Sequence, residues 1–288
     1  MWRGFRLTKK SDIINKYAEE WTSEDMSLFF YLIIFIFGLA IGSFLNCVIC
    51  RLEKRESFLR DRSRCPHCQK ELSWKDLVPL LSFLILRRRC RYCRQKISLQ
   101  YPLVELATGI LFVFIAIFNF QLSTYNLLNA CFLFLVSCFL IIIFVYDLKH
   151  YIIPDKVIYP AIFAALVFNF LPRQIFSGGF NQFSILSAFG AAGFFFLIVL
   201  VSRGRWMGVG DIKLAFLMGL ILGFPDILIA LFLAFFFGAI IGIGLIISGK
   251  KTLRSEVPFG PFLVTGAFLA LFFGENIIRW YSHFFYLI

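Results

Sequence analysis

Residues 28–49 read LFFYLIIFIFGLAIGSFLNCVI and contain no charged side chain. A helix needs about 20 apolar residues to cross the hydrocarbon core of a bilayer, and this segment is long enough to do so. It follows 27 residues rich in charged and polar side chains, and it is longer than the apolar region of about 7–15 residues in a secretory signal. We therefore expect a retained first transmembrane helix and not a cleaved signal peptide.

Apolar segments of this kind recur along the whole chain. Of its 288 residues, 60% are hydrophobic and 16% are charged, whereas soluble domains are about 45–50% apolar and about 25% charged. This composition excludes a disordered chain, a collagen-like chain and an ordinary soluble enzyme. Eight transmembrane spans are predicted, at residues 28–49, 101–120, 126–146, 156–171, 183–202, 211–224, 227–248 and 258–273.

The charge of the chain is concentrated in one loop. Residues 51–100 contain 14 Lys and Arg against 5 Asp and Glu, which accounts for most of the net charge of +12. Basic segments can bind nucleic acid, but cytoplasmic loops of membrane proteins carry the same excess. We favour the second interpretation, with the lipid bilayer and not nucleic acid as the partner. Lys and Arg also dominate alternate loops further on, so both termini are predicted to lie outside.

Two Cys-x-x-Cys pairs lie in the basic loop, namely Cys65 with Cys68 and Cys90 with Cys93. Each pair can place two sulfurs on one side of a tight turn, and two such turns form a tetrahedral thiolate site for Zn²⁺. The loop is too small and too charged to fold around its own core, so the metal would be structural. The alternatives are a reducible disulfide or unrelated thiols, although a cytoplasmic location disfavours structural disulfides.

These features predict an all-α polytopic membrane protein. We expect about eight transmembrane helices and a cytoplasmic zinc-binding loop between helices 1 and 2.

Carboxylates are rare beyond residue 100, and two of them stand out. Ionisable groups at membrane depth are costly and mark functional sites. Asp147 directly follows an apolar run, and Asp211 opens the sixth span within Gly208-Val209-Gly210-Asp211. In the predicted orientation both lie at cytoplasmic helix ends, where they could face each other and share a proton, as in aspartyl peptidases. The alternative is that both are interfacial anchors or helix caps.

The chain resembles the bacterial type 4 prepilin peptidases, which are Gly-x-Gly-Asp intramembrane aspartyl peptidases. The resemblance extends from about Gly42 to Gly266 and rests on motifs that occur in the family's order. These are GSFLN at 42–46 with Arg51-Leu52, the four-cysteine loop, YPLVE at 101–105, Asp147 eight residues before Asp155, GVGDIKL at 208–214 and PFGPF at 258–262.

The resemblance implies a function. Members of the family cut the leader peptide of type IV prepilins or pseudopilins at the cytoplasmic face of the inner membrane. They typically then methylate the new N-terminal residue with S-adenosylmethionine. Carried over to this chain, Asp147 and Asp211 are the catalytic pair, and Cys65, Cys68, Cys90 and Cys93 hold structural Zn²⁺. No residue is predicted for the methyl donor.

The implied organisation has four parts. They are an N-terminal extension (1–27), the first transmembrane helix (28–50), the cytoplasmic zinc-binding loop domain (51–100) and a transmembrane peptidase core (101–288). One departure from the family is Arg88, which stands where a Gly is usual. A Gly there indicates a backbone conformation that a Cβ disfavours.

Two other functions remain open at this point. A signal-peptide-peptidase-like protease shares the Gly-x-Gly-Asp motif but gives no reason for the cysteine pairs. A non-enzymatic zinc-loop scaffold or transporter would explain the cysteines but predicts a polar track through the membrane helices.

Overall fold

A computed structural model of the chain describes residues 8–54, 63–119, 124–170, 182–249, 252 and 257–286. Within these ranges the fold consists of nine α-helices and one short 3₁₀ helix, Trp74–Asp76, and the only strand-type pairings are two isolated bridges. The α-helices are α1 (Thr8–Lys54), α2 (Leu81–Ile85), α3 (Gln100–Asn119), α4 (Thr124–His150), α5 (Asp155–Phe170), α6 (Gln182–Ser202), α7 (Val209–Leu222), α8 (Asp226–Ile247) and α9 (Gly260–Tyr286).

The all-α polytopic membrane fold is confirmed. Each of the eight predicted spans coincides with a helix, and six of these helices are long and apolar enough to cross a membrane. The other two, α5 and α7, have 16 and 14 residues and are shorter than the roughly 20 residues that a full crossing needs. Helix α1 includes most of the predicted N-terminal extension, since it runs without a break from Thr8 into the first span. Residues 1–7 lie outside the described residues.

One compact unit comprises Met1–Ser43 and Arg64–Ile117. Its two membrane helices meet at small residues. A Cβ built on Gly38 would lie 2.7 Å from the Cα of Gly109, and one built on Gly42 would lie 2.7 Å from the Cα of Glu105. Only glycine at both positions lets α1 approach α3 this closely, which is a common way to pack helices in a membrane.

The second unit comprises Phe44–Ser63 and Phe118–Ile288. The short helix α7 is its centre, since α7 packs against α5, α6, α8 and α9. Its apolar residues Leu214, Leu217 and Met218 are fully buried. The contact with α6 is again close, because a Cβ on Gly219 would collide with the backbone of Ala188. Four neighbouring helices therefore hold α7 in place, including its first turn, which contains Asp211.

Candidate functional site

Asp147 lies one residue beyond Tyr146 in the last turn of α4 and is 4% exposed. Its Oδ2 accepts a hydrogen bond of 3.0 Å from the backbone N–H of Gly260. Gly260 is the first residue of α9, and the first N–H groups of a helix have no partner within the helix. The start of α9 therefore supplies a donor to a carboxylate that belongs to α4.

Gly260 also leaves the space that the carboxylate needs. A Cβ on Gly260 would lie 2.5 Å from Oδ2 and 3.1 Å from Cγ of Asp147. Both distances are shorter than ordinary van der Waals contact, so no side chain fits at this position. This role of the PFGPF motif could not be predicted from the sequence, because the group that contacts Asp147 is a backbone amide. The motif itself was the only available signal.

Asp211 occupies the third position of α7 and is 8% exposed. Its Oδ2 accepts a hydrogen bond of 3.2 Å from the N–H of Gly208, the residue just before the helix. An acidic side chain at this position commonly bonds back to the preceding backbone, and the N-terminal end of the helix dipole favours its negative charge. The Gly-x-Gly-Asp motif is therefore a helix start with a carboxylate folded back over it.

The structure brings the two aspartates together. Asp147 and Asp211 lie near enough for their carboxyl groups to interact electrostatically, and both groups are buried within the same unit. Each carboxylate accepts a hydrogen bond from one backbone N–H through its Oδ2, which leaves the other oxygen atom, Oδ1, available for a ligand. The predicted pairing at equal depth agrees with this arrangement, and the catalytic role of the pair stays a prediction.

A charged pair borders Asp211 along α7. The ammonium group of Lys213 lies 2.5 Å from Oδ1 of Asp155 at the start of α5. The same Lys213 nitrogen lies 4.8 Å from the centre of the Tyr159 ring, within the range of a cation–π contact. These contacts link the N-terminal end of α7 to the N-terminal end of α5, and so they help to hold the end of α7 that carries Asp211.

The four predicted cysteines form one cluster. Their sulfur atoms all lie within 4.8 Å of one another. The sulfurs of Cys65 and Cys93 are 3.9 Å apart, far longer than the roughly 2.05 Å of a disulfide. Four thiolates bound at about 2.3 Å to a tetrahedral ion would have sulfurs a little under 4 Å apart, so the cluster can hold a metal ion after small shifts of its side chains.

The two halves of the cluster share one backbone design. In the first, the N–H of Cys65 donates to the carbonyl of Lys70, and the N–H of Gln69 donates to the carbonyl of Cys65. The second repeats both bonds between Cys90, Gln95 and Arg94. Gln69 and Arg94 each have a positive φ, of 56° and 61°, and this conformation closes each turn so that its two sulfurs point the same way.

A carboxylate braces the loop between the two cysteine pairs. Asp76 accepts a hydrogen bond of 2.7 Å from Nε of Arg91 and one of 2.8 Å from the hydroxyl of Ser73. Burial alone would raise the pKa of Asp76, but the hydrogen bonds from Ser73 and Arg91 outweigh it and hold that pKa below its usual value. Asp76 is therefore ionised at neutral pH and ties the 3₁₀ helix to the second cysteine turn.

The backbone at Arg88, where the resembling family usually has a glycine, has a left-handed conformation. Arg88 has a φ of 61° and Arg87 a φ of 47°, in the left-handed region that favours residues without a Cβ. The N–H of Ile97 bonds to the carbonyl of Arg88 at 2.7 Å, which holds this turn in place. The turn that the usual glycine indicated is present here and is built with arginine.

Two family models match the chain. Residues 36–119 match the bacterial peptidase A24 N-terminal domain, and residues 134–243 match the type IV leader peptidase family. The first match covers the cysteine cluster, and the second covers both aspartates. No solved structure matches the chain.

Curated relatives cover nearly the whole chain. A prepilin leader peptidase/N-methyltransferase of Aeromonas hydrophila is 35% identical over 88% of this chain and 93% of its own length. The protein of the same name from Bacillus subtilis (strain 168) is 35% identical over 86% of this chain and 96% of its own length. The one from Myxococcus xanthus (strain DK1622) is 37% identical over 79% and 67%. The chain therefore belongs to the type IV leader peptidase family.

Proposed function

We propose that this chain is a membrane aspartyl endopeptidase that removes the leader peptide of type IV prepilins or pseudopilins and then methylates the new N terminus. Asp147 and Asp211 are the catalytic pair in this proposal. The observation that carries it is the placement of two buried, interacting carboxylates on separate helices, each held by a backbone N–H of a neighbouring glycine. The names of the curated relatives support the substrate and both activities.

The chemistry follows from the shared environment of the pair. Two buried carboxyl groups that repel each other do not both ionise easily, so together they retain one proton. The ionised group takes a proton from water as the water oxygen attacks the scissile carbonyl, while the protonated group donates to the carbonyl oxygen. Collapse of the resulting tetrahedral intermediate breaks the C–N bond. The departing amine takes the proton that the first carboxyl group had received. One hydroxyl group of the intermediate returns its proton to the second carboxyl group as the new C-terminal carbonyl forms, which restores the pair with one proton.

The glycine amides contribute position rather than protons. The N–H of Gly260 and the N–H of Gly208 each bond one carboxylate oxygen, Oδ2, in Asp147 and Asp211 respectively. Each aspartate is thereby prevented from rotating away from the other. A pre-oriented pair needs no rearrangement when substrate arrives, which lowers the barrier to reaction.

Substitution of each aspartate tests the pairing. Asp147→Asn and Asp211→Asn keep the size of the side chain but cannot act as acid and base, so each is expected to lower the rate of prepilin cleavage by at least about 10²-fold. Asp226→Asn, at the start of α8, is the matched control and should cleave normally. Full cleavage by either Asp147→Asn or Asp211→Asn in membranes would contradict the proposal.

We also propose that the cysteine cluster binds Zn²⁺. Four thiolates fill all four positions of a tetrahedral ion and make a structural site, since catalytic zinc has three protein ligands and keeps its fourth position for water or substrate. The ion would join the two cysteine turns of a loop that has little apolar core of its own. Metal analysis of the purified protein should find zinc in a stoichiometric amount. Free thiols with no bound metal would contradict this assignment.

The methyl donor in this proposal is S-adenosylmethionine, in keeping with the second half of the relatives' name. A cavity of about 650 Å³ lies between α6 and α8, but it is lined by apolar residues such as Leu186, Phe194 and Leu231. Such a lining does not fit a cationic nucleoside, and no step of methyl transfer is assigned to it. Mass spectrometry of the processed pilin should show one added methyl group, and its absence would limit the chain to peptidase activity.

We further propose that the cysteine loop and the aspartates face the cytoplasm from the bacterial inner membrane. The excess of Lys and Arg in residues 51–100 supports this orientation. A cysteine introduced at exposed Ser98 should react with an impermeant maleimide only after the cells are opened. A cysteine at exposed Phe224, in the α7–α8 turn, should react in intact cells once the outer membrane is permeabilised. The opposite pattern would reverse the orientation.

A further inference from the structure

The short helix α2 has an exposed apolar face. Leu81, Leu84 and Ile85 are 58%, 71% and 69% exposed. They are spaced by three and four residues, so they lie on one side of the helix. Trp74 and Leu77, just before α2, are also exposed. We define the apolar stripe as Trp74, Leu77, Leu81, Leu84 and Ile85. No other described residue of the unit that contains the stripe covers it. Contiguous apolar surface of this kind marks an interaction site.

A hydrogen bond sets the depth of α2. The N–H of Leu80 donates to Oε2 of Glu105 at 2.8 Å, and Glu105 is itself buried. Glu105 lies five residues into α3, a helix long and apolar enough to cross a membrane. At a rise of 1.5 Å per residue, its Cα is about 7.5 Å along the axis from the start of that helix. Leu80, the residue just before α2, is therefore held beside the first turns of a membrane span and not out in solvent.

Three arginines follow α2 directly. Arg87, Arg88 and Arg89 are all exposed, and in the part of the chain that the structure describes none of them forms a salt bridge. Guanidinium groups bind phosphate oxygens in a bidentate way and are weakly hydrated. An apolar stripe that continues into a cluster of unpaired arginines has the pattern of a helix lying in a bilayer interface. The arginines would then be at the level of the lipid headgroups.

We propose that α2 lies in the leaflet at which α3 begins, with its apolar stripe among the acyl chains and Arg87, Arg88 and Arg89 on the phosphates of anionic lipids. Two features select lipid as the occupant of this surface. Its depth is fixed by Glu105 at a membrane span, and its charge complements anionic headgroups. The consequence is that the cysteine loop rests on the membrane surface. This inference concerns the loop alone and does not depend on the peptidase chemistry.

Hydrogen exchange of the zinc-loaded, full-length chain tests this docking. The chain is placed singly in nanodiscs of phosphatidylcholine, either alone or mixed with phosphatidylglycerol, and exchange is followed in peptides covering residues 81–89. Each basic residue at an anionic surface contributes about 1 kcal/mol, or roughly fivefold. The three arginines should therefore slow exchange by up to about 10²-fold when phosphatidylglycerol is present.

Two triple variants separate specific docking from general attraction. Replacing Arg87, Arg88 and Arg89 with Gln should abolish the effect of phosphatidylglycerol. The matched control replaces Lys70, Arg94 and Lys96 with Gln, which removes the same charge from exposed positions of the same loop, and it should keep the effect. Loss of the effect in both variants would show diffuse attraction and would overturn the proposal.

A third variant tests the apolar contact. Leu84→Gln combined with Ile85→Gln should speed exchange of residues 81–89 in both kinds of nanodisc, while bound zinc stays unchanged and shows that the loop is folded. Exchange that is identical in the two lipids for the unaltered chain would overturn the proposal. So would protection that appears only in vesicles holding many chains, because a second copy would then be the occupant of the apolar stripe.

Discussion

The substitution Gly260→Ala probes the site at its most restricted point. The added methyl carbon would lie 2.5 Å from Oδ2 of Asp147, whereas carbon and oxygen normally approach to about 3.3–3.6 Å. Either the carboxylate or the start of α9 must therefore move by about 0.8–1.1 Å. The hydrogen bond of 3.0 Å between Gly260 and Asp147 would be lost or lengthened by this shift.

The size of the effect follows from that displacement. A misplacement of about 1 Å in an active site can lower a rate by about 10²-fold, which corresponds to about 2.7 kcal/mol in the activation free energy. We expect kcat for prepilin cleavage to fall by this factor with little change in KM, because Gly260 positions Asp147 and does not itself hold the substrate. Cleavage of a prepilin by the purified enzyme in lipid, measured over a range of substrate concentrations, separates the two parameters.

The matched control is Gly193→Ala on α6, where a Cβ would meet no atom within 4 Å. It should leave kcat unchanged. The thermal unfolding midpoint and the zinc content of both variants show whether the fold is intact. If Gly260→Ala retained kcat within twofold of the unaltered enzyme, the inferred contact with Asp147 would be wrong. A rise in KM alone would likewise refute its positioning role.

Four further predictions concern the loop and the helix packing. Arg88→Gly should stabilise the loop by about 1 kcal/mol, since it relieves a positive φ. Arg89→Gly should destabilise the loop by about 0.5–1 kcal/mol. The chelator concentration that releases the metal measures the stability of both variants. A loop that is less stable in Arg88→Gly than in Arg89→Gly would contradict backbone strain at Arg88. Cys65→Ser or Cys93→Ser should lose the metal and make the loop sensitive to proteases, whereas Cys131→Ser on α4 should do neither. Gly42→Val should lower the unfolding midpoint, because its Cβ would lie 2.7 Å from the Cα of Glu105 and overpacking costs about 1–3 kcal/mol. The control is Gly242→Val, since a Cβ at Gly242 meets no atom within 4 Å. Equal midpoints for the two variants would argue against the close approach of α1 and α3. Asp76→Asn should weaken protection of the loop from amide exchange at neutral pH by about 1 kcal/mol, allowing for the half-exposed Arg91. Because the folded-state pKa of Asp76 is depressed, the advantage of the unaltered chain is fully present above about pH 4 and disappears as the pH falls through that pKa; an advantage that persisted at lower pH would point to another cause.

Features that depend only on residues close together in the sequence could be predicted from the sequence. Each membrane helix is specified by its own run of apolar side chains, because its backbone N–H and C=O groups form hydrogen bonds within the same helix. All eight predicted spans are helical for this reason. Each cysteine pair is likewise a local turn, and two turns of equal spacing suffice to predict a tetrathiolate cluster. The scarcity of carboxylates in apolar surroundings singled out Asp147 and Asp211.

The contacts that orient these groups were decided only by the tertiary structure. The amide of Gly260 donates a hydrogen bond to Asp147, which lies 113 positions away in the sequence. Every residue except proline has a backbone N–H, so the identity of a residue does not indicate which group its N–H will contact. The short span of α7 could not be interpreted until its four neighbours were seen. The hydrogen bond from Leu80 to Glu105 is of the same kind, and it holds the start of α2 beside the first turns of α3. Hydropathy and spacing act along the chain, whereas close approach at glycines and hydrogen bonds between distant segments arise only when helices pack.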